Sequence, residues 1–129
     1  MLKTGILNPR INWLLSRVRH TNILVLADRG FPCWPMIETV DVSVVDDLPT
    51  VLQLLGAIRP NFRIGKAWMA REFLKHNDAQ TRGAFAQALS GIQLKHEAHV
   101  ELKKRVPRAI GLIRTGDTTQ YANMILESA

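Results

Sequence analysis

Cysteine is almost missing from this 129-residue chain. Cys33 stands alone, so no internal disulfide can form, and reducing, cytoplasmic surroundings are expected. Long apolar runs are missing too. None approaches the ~20 residues that cross a bilayer, and Gly5, Asn8, Pro9 and Arg10 break up the continuous apolar region a signal peptide needs. Aromatic residues make up only 6% of the chain. They are not interleaved with the densest basic patch, Lys103-Lys104-Arg105 with Arg108, so the stacking platform of a single-strand binder is lacking. The net charge of +6 therefore reads as a solvated basic face or a subunit contact, with no nucleic acid as partner. Phosphate-cradling glycine loops and the G-x-S-x-G nucleophile elbow are likewise absent. His96, Glu97 and His99 fall one residue short of the His-Glu-x-x-His zinc pattern, and no cysteine cluster completes it, so no metal site is expected. Cys33, between Pro32 and Trp34, reads as a small packing residue rather than a nucleophile.

What is present is ordinary globular composition, 47% hydrophobic and 22% charged, in one domain over residues 1–129 with enough chain to bury a core. Asn8-Pro9 predicts a helix cap and first helical residue, followed by Ile11, Leu14, Leu15 and Val18 at helical spacing. Residues 23–28 predict a strand, and Val40, Val42 and Val44 alternate with Asp41 and Ser43 as a second. A helix is expected from near Asp47, with Pro49 in its first turn, to Pro60. Residues 63–69 form a weaker strand candidate because of Gly65. Asn77 or Asp78 caps a helix ending at Gly91, Ile92 to Leu94 is a short strand, and His99 to Val106 is a helix stopped before Pro107. Ala109 to Ile113 and Tyr121 to Leu126 complete the apolar segments. Alternating strands and helices predict an α/β three-layer sandwich, a central mostly parallel sheet flanked by helices.

His20 and Asp28 bracket the best-defined strand. A carboxylate just beyond a strand's carboxyl end is where open α/β sheets place ligand sites. An imidazole is the side chain that titrates nearest neutrality, as proton transfer requires. Each also has a plain structural reading: His20 as a helix-end residue, Asp28 as an acceptor for turn amides before Gly30. His99 and Lys103, four apart, share one helix face, which could simply be solvated.

Further motifs go beyond pattern. Lys3-Thr4-Gly5-Ile6-Leu7-Asn8-Pro9, His20-Thr21, and Ala27-Asp28 with Gly30-Phe31-Pro32 open the chain. Ile113-Arg114-Thr115-Gly116-Asp117, then Tyr121-Ala122-Asn123 and Ile125-Leu126, close it. Together these resemble the D-ribose pyranase and L-fucose mutarotase family. Tyr-Ala-Asn is nearer the pyranase branch than the fucose branch, where Gly usually replaces Ala. The resemblance implies an isomerase that equilibrates ring forms of a free monosaccharide such as D-ribose without a cofactor. It implies His20 as the acid/base catalyst, with Asp28, His99, Lys103, Tyr121, the Ala122 backbone and Asn123 binding the sugar; His96 is then a bystander. It also implies self-association into a ring-shaped homo-oligomer, a pentamer or a decamer of two stacked pentamers, with pockets near subunit boundaries.

The chain departs from the family pattern at Arg29, at the bulky Cys33-Trp34-Pro35 segment, and at Asn22 where Asp is common. A cation and an indole beside the pocket bear on which sugar enters. Three functions fit these residues: ring exchange of ribose or a related pentose, mutarotation of L-fucose or another sugar, and non-catalytic binding of a monosaccharide.

Overall fold

A computed structural model describes all 129 residues. Helix α1 (Pro9–Arg17) begins where the Asn8 side chain accepts from the amides of Arg10 and Ile11, with Pro9 where a missing N–H costs nothing. Strand β1 (Ile23–Ala27) follows. Strand β2 (Glu38–Asp41) is shorter and earlier than the valine alternation predicts. The chain leaves the sheet after Asp41, whose carboxylate accepts from the Ser43 amide in a tight turn. Helix α2 (Val51–Ile58) starts at Thr50, in a reciprocal capping box with Gln53, and not near Asp47. Asp47 has φ +60 and the Leu48–Pro49 peptide is cis, so Pro49 belongs to the preceding turn.

Strand β3 (Ile64–Ala70) is the longest of the sheet despite Gly65, which sits at a register shift against Ala129. It runs straight into a short helix, α3 (Arg71–His76), with no counterpart among the sequence expectations. Asp78 then caps α4 (Ala79–Ala88). Strand β4 (Gln93–Glu97), helix α5 (His99–Arg105), strand β5 (Gly111–Arg114) and strand β6 (Met124–Ser128) complete the order. Val106–Arg108 forms a 3-10 turn carrying Pro107.

The six strands are ordered β2-β5-β1-β6-β3-β4. β2, β5 and β1 are mutually parallel, as are β3 and β4, while β6 runs antiparallel between β1 and β3. The period-2 alternation of a strand divides its side chains between two cores. Leu24 and Leu26 of β1 join Leu14 of α1, Leu55 of α2, Phe73 of α3 and Phe85 of α4 on one face. Val25 and Ala27 join Leu102 of α5, Val106 and Phe31 on the other. The result is the α/β sandwich that the sequence predicts, with four helices on one side and one on the other. α1 lies so close to the sheet that a Cβ on Gly111 would stand 2.5 Å from a Leu14 methyl carbon. No helix is long and apolar enough to cross a membrane.

Because β1, β3, β4 and β5 point the same way, their carboxyl ends share one edge of the sheet. The amino end of β6 meets them there. That edge carries Asp28, α3, His99 and the segment 115–123.

Candidate active site

Asp28 leaves β1 beside the start of β6, and Asn123 fastens it. The Asn123 side-chain amide donates to Asp28 Oδ2 at 2.9 Å, while the Asp28 N–H donates to Asn123 Oδ1 at 2.7 Å. The other carboxylate oxygen accepts from the Gly30 amide at 3.0 Å. Asn123 is only 3% exposed, so this reciprocal pair of hydrogen bonds fixes the carboxylate's orientation. Burial raises the Asp28 pKa above its ordinary value. The Gly30 and Asn123 donors oppose the rise, and the nearby Asp117 charge adds to it.

Around this carboxylate lies a cavity of about 350 Å³, lined by Asp28, Gly30, Phe31, His99, Tyr121 and Asn123, with Pro32 and Gln120 at its rim. The volume falls at the small end of small-molecule sites. His99 opens α5, and its backbone N–H donates to Glu72 of α3 at 2.9 Å. Its ring meets Tyr121 edge-on at 5.2 Å and Phe31 edge-on at 6.3 Å. Burial, then the Lys103 charge, lowers the His99 pKa, against the pull of Glu72 and Asp28. Its buried Nδ1 has no protein partner. Tyr121 sits at φ +56, an uncommon conformation for a bulky residue that the fold must hold in place. Asp117, 2% exposed, organises the approach to it. Its carboxylate accepts from the Val51 amide at the start of α2 and from the Thr119 amide, both at 2.8 Å.

The remaining residues singled out by sequence fall elsewhere. His20 lies before β1, at the opposite edge of the sheet. Asn22 to Asp28 alone spans about 20 Å at ~3.3 Å per residue, so the two ends of this strand cannot meet in one pocket of one chain. His20 is exposed on a turn held by the Asn22 side chain, which accepts from the Arg19 amide at 2.8 Å; the next residue, Thr21, has φ +65. Lys103 lines an adjoining groove with Pro32, Trp34 and Val100. Ala122 is fully buried and behind the cavity wall. His96 lies on β4 and His99 on α5, so the helical spacing between them does not exist. No three His, Cys, Asp or Glu side chains converge as metal ligands.

The departures from the family pattern also find places. Arg29 turns outward and pairs with Asp46, both exposed, so its cation does not line the cavity. Trp34 faces the adjoining groove rather than the cavity. Two of the four cations of the basic patch are paired within the chain. Arg105 grips Glu97 through two bonds, at 2.6 and 3.0 Å, and lies over the Trp68 ring, while Lys104 pairs with Glu101. Sequence reading missed Gly30, Phe31, Pro32 and Gln120 at the cavity and Glu72 behind it. Gly30 and Phe31 were within sight, since they directly follow Asp28.

Comparison with known proteins places the whole chain among relatives. The D-ribose pyranase of Chromobacterium violaceum is 39% identical over 128 residues, covering 99% of this chain and 97% of that protein. The D-ribose pyranase of Symbiobacterium thermophilum is 32% identical over the same shares. Among solved structures, Bacillus subtilis RbsD complexed with D-ribose superposes with a TM-score of 0.93 at 29% identity, covering 100% of this chain and 98% of that one. The fucose mutarotase of Streptococcus pneumoniae in complex with L-fucose shares the fold, with a TM-score of 0.82 at 20% identity over 99% and 98% of the two chains. The family model described as the RbsD / FucU transport protein family matches residues 1–129. With a small polar cavity at the carboxyl edge of its sheet and full-length relatives on this scale, the chain belongs to the RbsD / FucU family.

Proposed function

We propose that this protein is an isomerase that interconverts the pyranose and furanose forms of D-ribose. The observation that carries it is the Asp28–Asn123 pair facing His99 and Tyr121 across a sugar-sized cavity, in a chain 39% identical to a D-ribose pyranase. An anionic carboxylate accepts two sugar hydroxyls, and the Asn and His groups supply complementary donors and acceptors. Ring opening removes the proton of the anomeric hydroxyl, breaks the bond from the anomeric carbon to the ring oxygen, and returns a proton to that oxygen. The open aldehyde rotates, and another hydroxyl closes on it by the reverse transfers. Electrons are conserved within the sugar, and a positioned imidazole contributes ~10²–10⁴ in rate.

His20 is the proton-transfer group, and it reaches the sugar from a second copy of the chain. One chain keeps His20 and Asp28 at opposite sheet edges, so a second copy must bring them together, and in this reading that copy is placed head to tail. Repetition of such a contact closes a ring, a pentamer or decamer in this reading. Exposed Val44, Val45, Leu48 and Val100 supply apolar surface for association. Lys103, in the groove beside the cavity, and the Ala122 backbone behind it complete the sugar-binding set. The protein acts as a single domain in the cytoplasm, in keeping with its one free thiol.

Saturation-transfer NMR on ribose tests the activity. The wild type accelerates exchange between ring forms, and exchange no faster than in buffer would sink the enzyme reading and leave a sugar-binding protein. Subunit complementation tests the shared site. His20→Ala and Asp28→Asn are each inactive, and co-refolding them in equal amounts restores roughly one quarter of the sites in a head-to-tail ring. No recovery in a mixed oligomer would refute the shared site.

A further inference from the structure

Helix α3 touches both walls of the cavity without lining it. From its first turn, Glu72 accepts the His99 backbone N–H at 2.9 Å. From its end, the His76 ring lies against Tyr121 at 5.2 Å, tilted by 32°. Asn77, the next residue, donates through one side-chain nitrogen to the Phe73 carbonyl at 2.8 Å and the Gln120 carbonyl at 2.9 Å. Tyr121 is thus held between His76 outside and His99 inside, in a backbone conformation that needs external support. Phe73 anchors the helix in the core, 1% exposed, against Phe85 at 4.7 Å. Six residues on a rigid anchor therefore reach His99 and Tyr121 at once.

We infer that α3 is the brace that sets the separation and orientation of His99 and Tyr121, with Glu72, His76 and Asn77 as positioning residues that act through them. This rests on the ribose reading for its kinetic consequence, though not for its electrostatic one. Glu72 does two separable things: it caps the first amide of α5, and it places a negative charge beside His99. The charged and titratable groups facing His99 are Lys103 from α5, Glu72 from α3, Asp28 from the end of β1 and Tyr121 from the turn before β6, with His76 behind Tyr121. Among these, Glu72 and Asp28 favour the protonated ring and Lys103 opposes it. A mere cap would need only an acceptor oxygen, which glutamine also provides.

The test uses the full chain as wild type, Glu72→Gln and Asn77→Ala. Imidazole C–H resonances are titrated by NMR without sugar, the His99 signal being the one lost in His99→Gln. Ribose exchange kinetics and thermal melts accompany the titration. Glu72→Gln keeps the cap and the melting temperature but titrates His99 at lower pH than the wild type. Asn77→Ala removes both bonds; the loss of the one to Gln120, at a hydrogen bond's typical contribution, raises KM about fivefold, with kcat little changed. The brace is overturned if His99 titrates identically in wild type and Glu72→Gln, or if Asn77→Ala alters the melt and leaves KM alone. Absence of exchange in the wild type overturns the ribose reading instead, and the sugar-free titration still decides the electrostatic role of Glu72.

Discussion

Replacing Asn123 by alanine removes the two bonds that tie β1 to β6 at the cavity. The Asp28 N–H loses its acceptor at 2.7 Å and Asp28 Oδ2 loses a donor at 2.9 Å. Two net hydrogen bonds at ~0.5–1.5 kcal/mol each, with part of the ~1–3 kcal/mol penalty for a stranded amide, sum to about 2–4 kcal/mol. For a domain of this length the corresponding fall in melting temperature is about 10 °C, read at fixed protein concentration because association would shift it. The pH dependence moves as well. Asp28 already binds its proton more tightly folded than unfolded, so its contribution to stability is fully present below the ordinary carboxylate value, 3.8, and is lost as pH rises through the raised folded pKa. Removing the Asn123 donor raises that pKa further, which widens the window and moves the acid limb of ribose exchange to higher pH. Differential scanning calorimetry and exchange rates between pH 4 and 8 read both effects. A melting temperature unchanged from wild type, or an acid limb that does not move, would refute the role given to this pair.

Other substitutions probe separate features. Asp117→Asn retains a side-chain oxygen for one of its two amide partners but removes the charge that raises the Asp28 pKa; the acid limb of exchange moves to lower pH. Gly116→Ala would place a Cβ 2.2 Å from the Val45 carbonyl and 3.1 Å from that of Leu48. Backbone atoms on both sides leave no soft neighbour, so a loss of about 3 kcal/mol or more is expected in urea unfolding. The His99 pKa is lowered from 6.5 by burial and the Lys103 charge, so its contribution to stability is present above pH 6.5 and lost as pH falls through the folded value. His99→Gln flattens that part of the stability profile, measured by urea unfolding across pH 5 to 8.

The sequence displayed the strand-end carboxylate well, because an apolar run followed by Asp28 and Gly30 has one natural reading. It hid the separation of His20 from the pocket. Nine positions look close in a chain, but an extended strand between them makes them far apart in space. The helix α3 was invisible because Arg71-Glu72-Phe73-Leu74-Lys75-His76 is under two turns long, has no side-chain cap and buries only Phe73. Its existence depends on β3 delivering it and on the Phe85 ring receiving it, both tertiary facts. Gly65 lowered the expected strength of β3, yet flanking β6 and β4 supply its hydrogen bonds from both sides. The start of α2 was misplaced because Asp47 and Pro49 mimic a helix opening, while Thr50 and Gln53 provide the true reciprocal cap.

The antiparallel strand β6 joins the two halves of the sheet. Without it the sheet is two separate ribbons, β2-β5-β1 and β3-β4, that share no backbone bond. Asp28 belongs to the first ribbon, while His99 and α3 belong to the second. The cavity therefore exists only while β6 is zipped between them, and Asn123 at its first step marks whether it is. A fluctuation that opens this one strand would disassemble the cavity. Amide exchange at Met124, Ile125 and Leu126 should then report the fraction of time the site is absent.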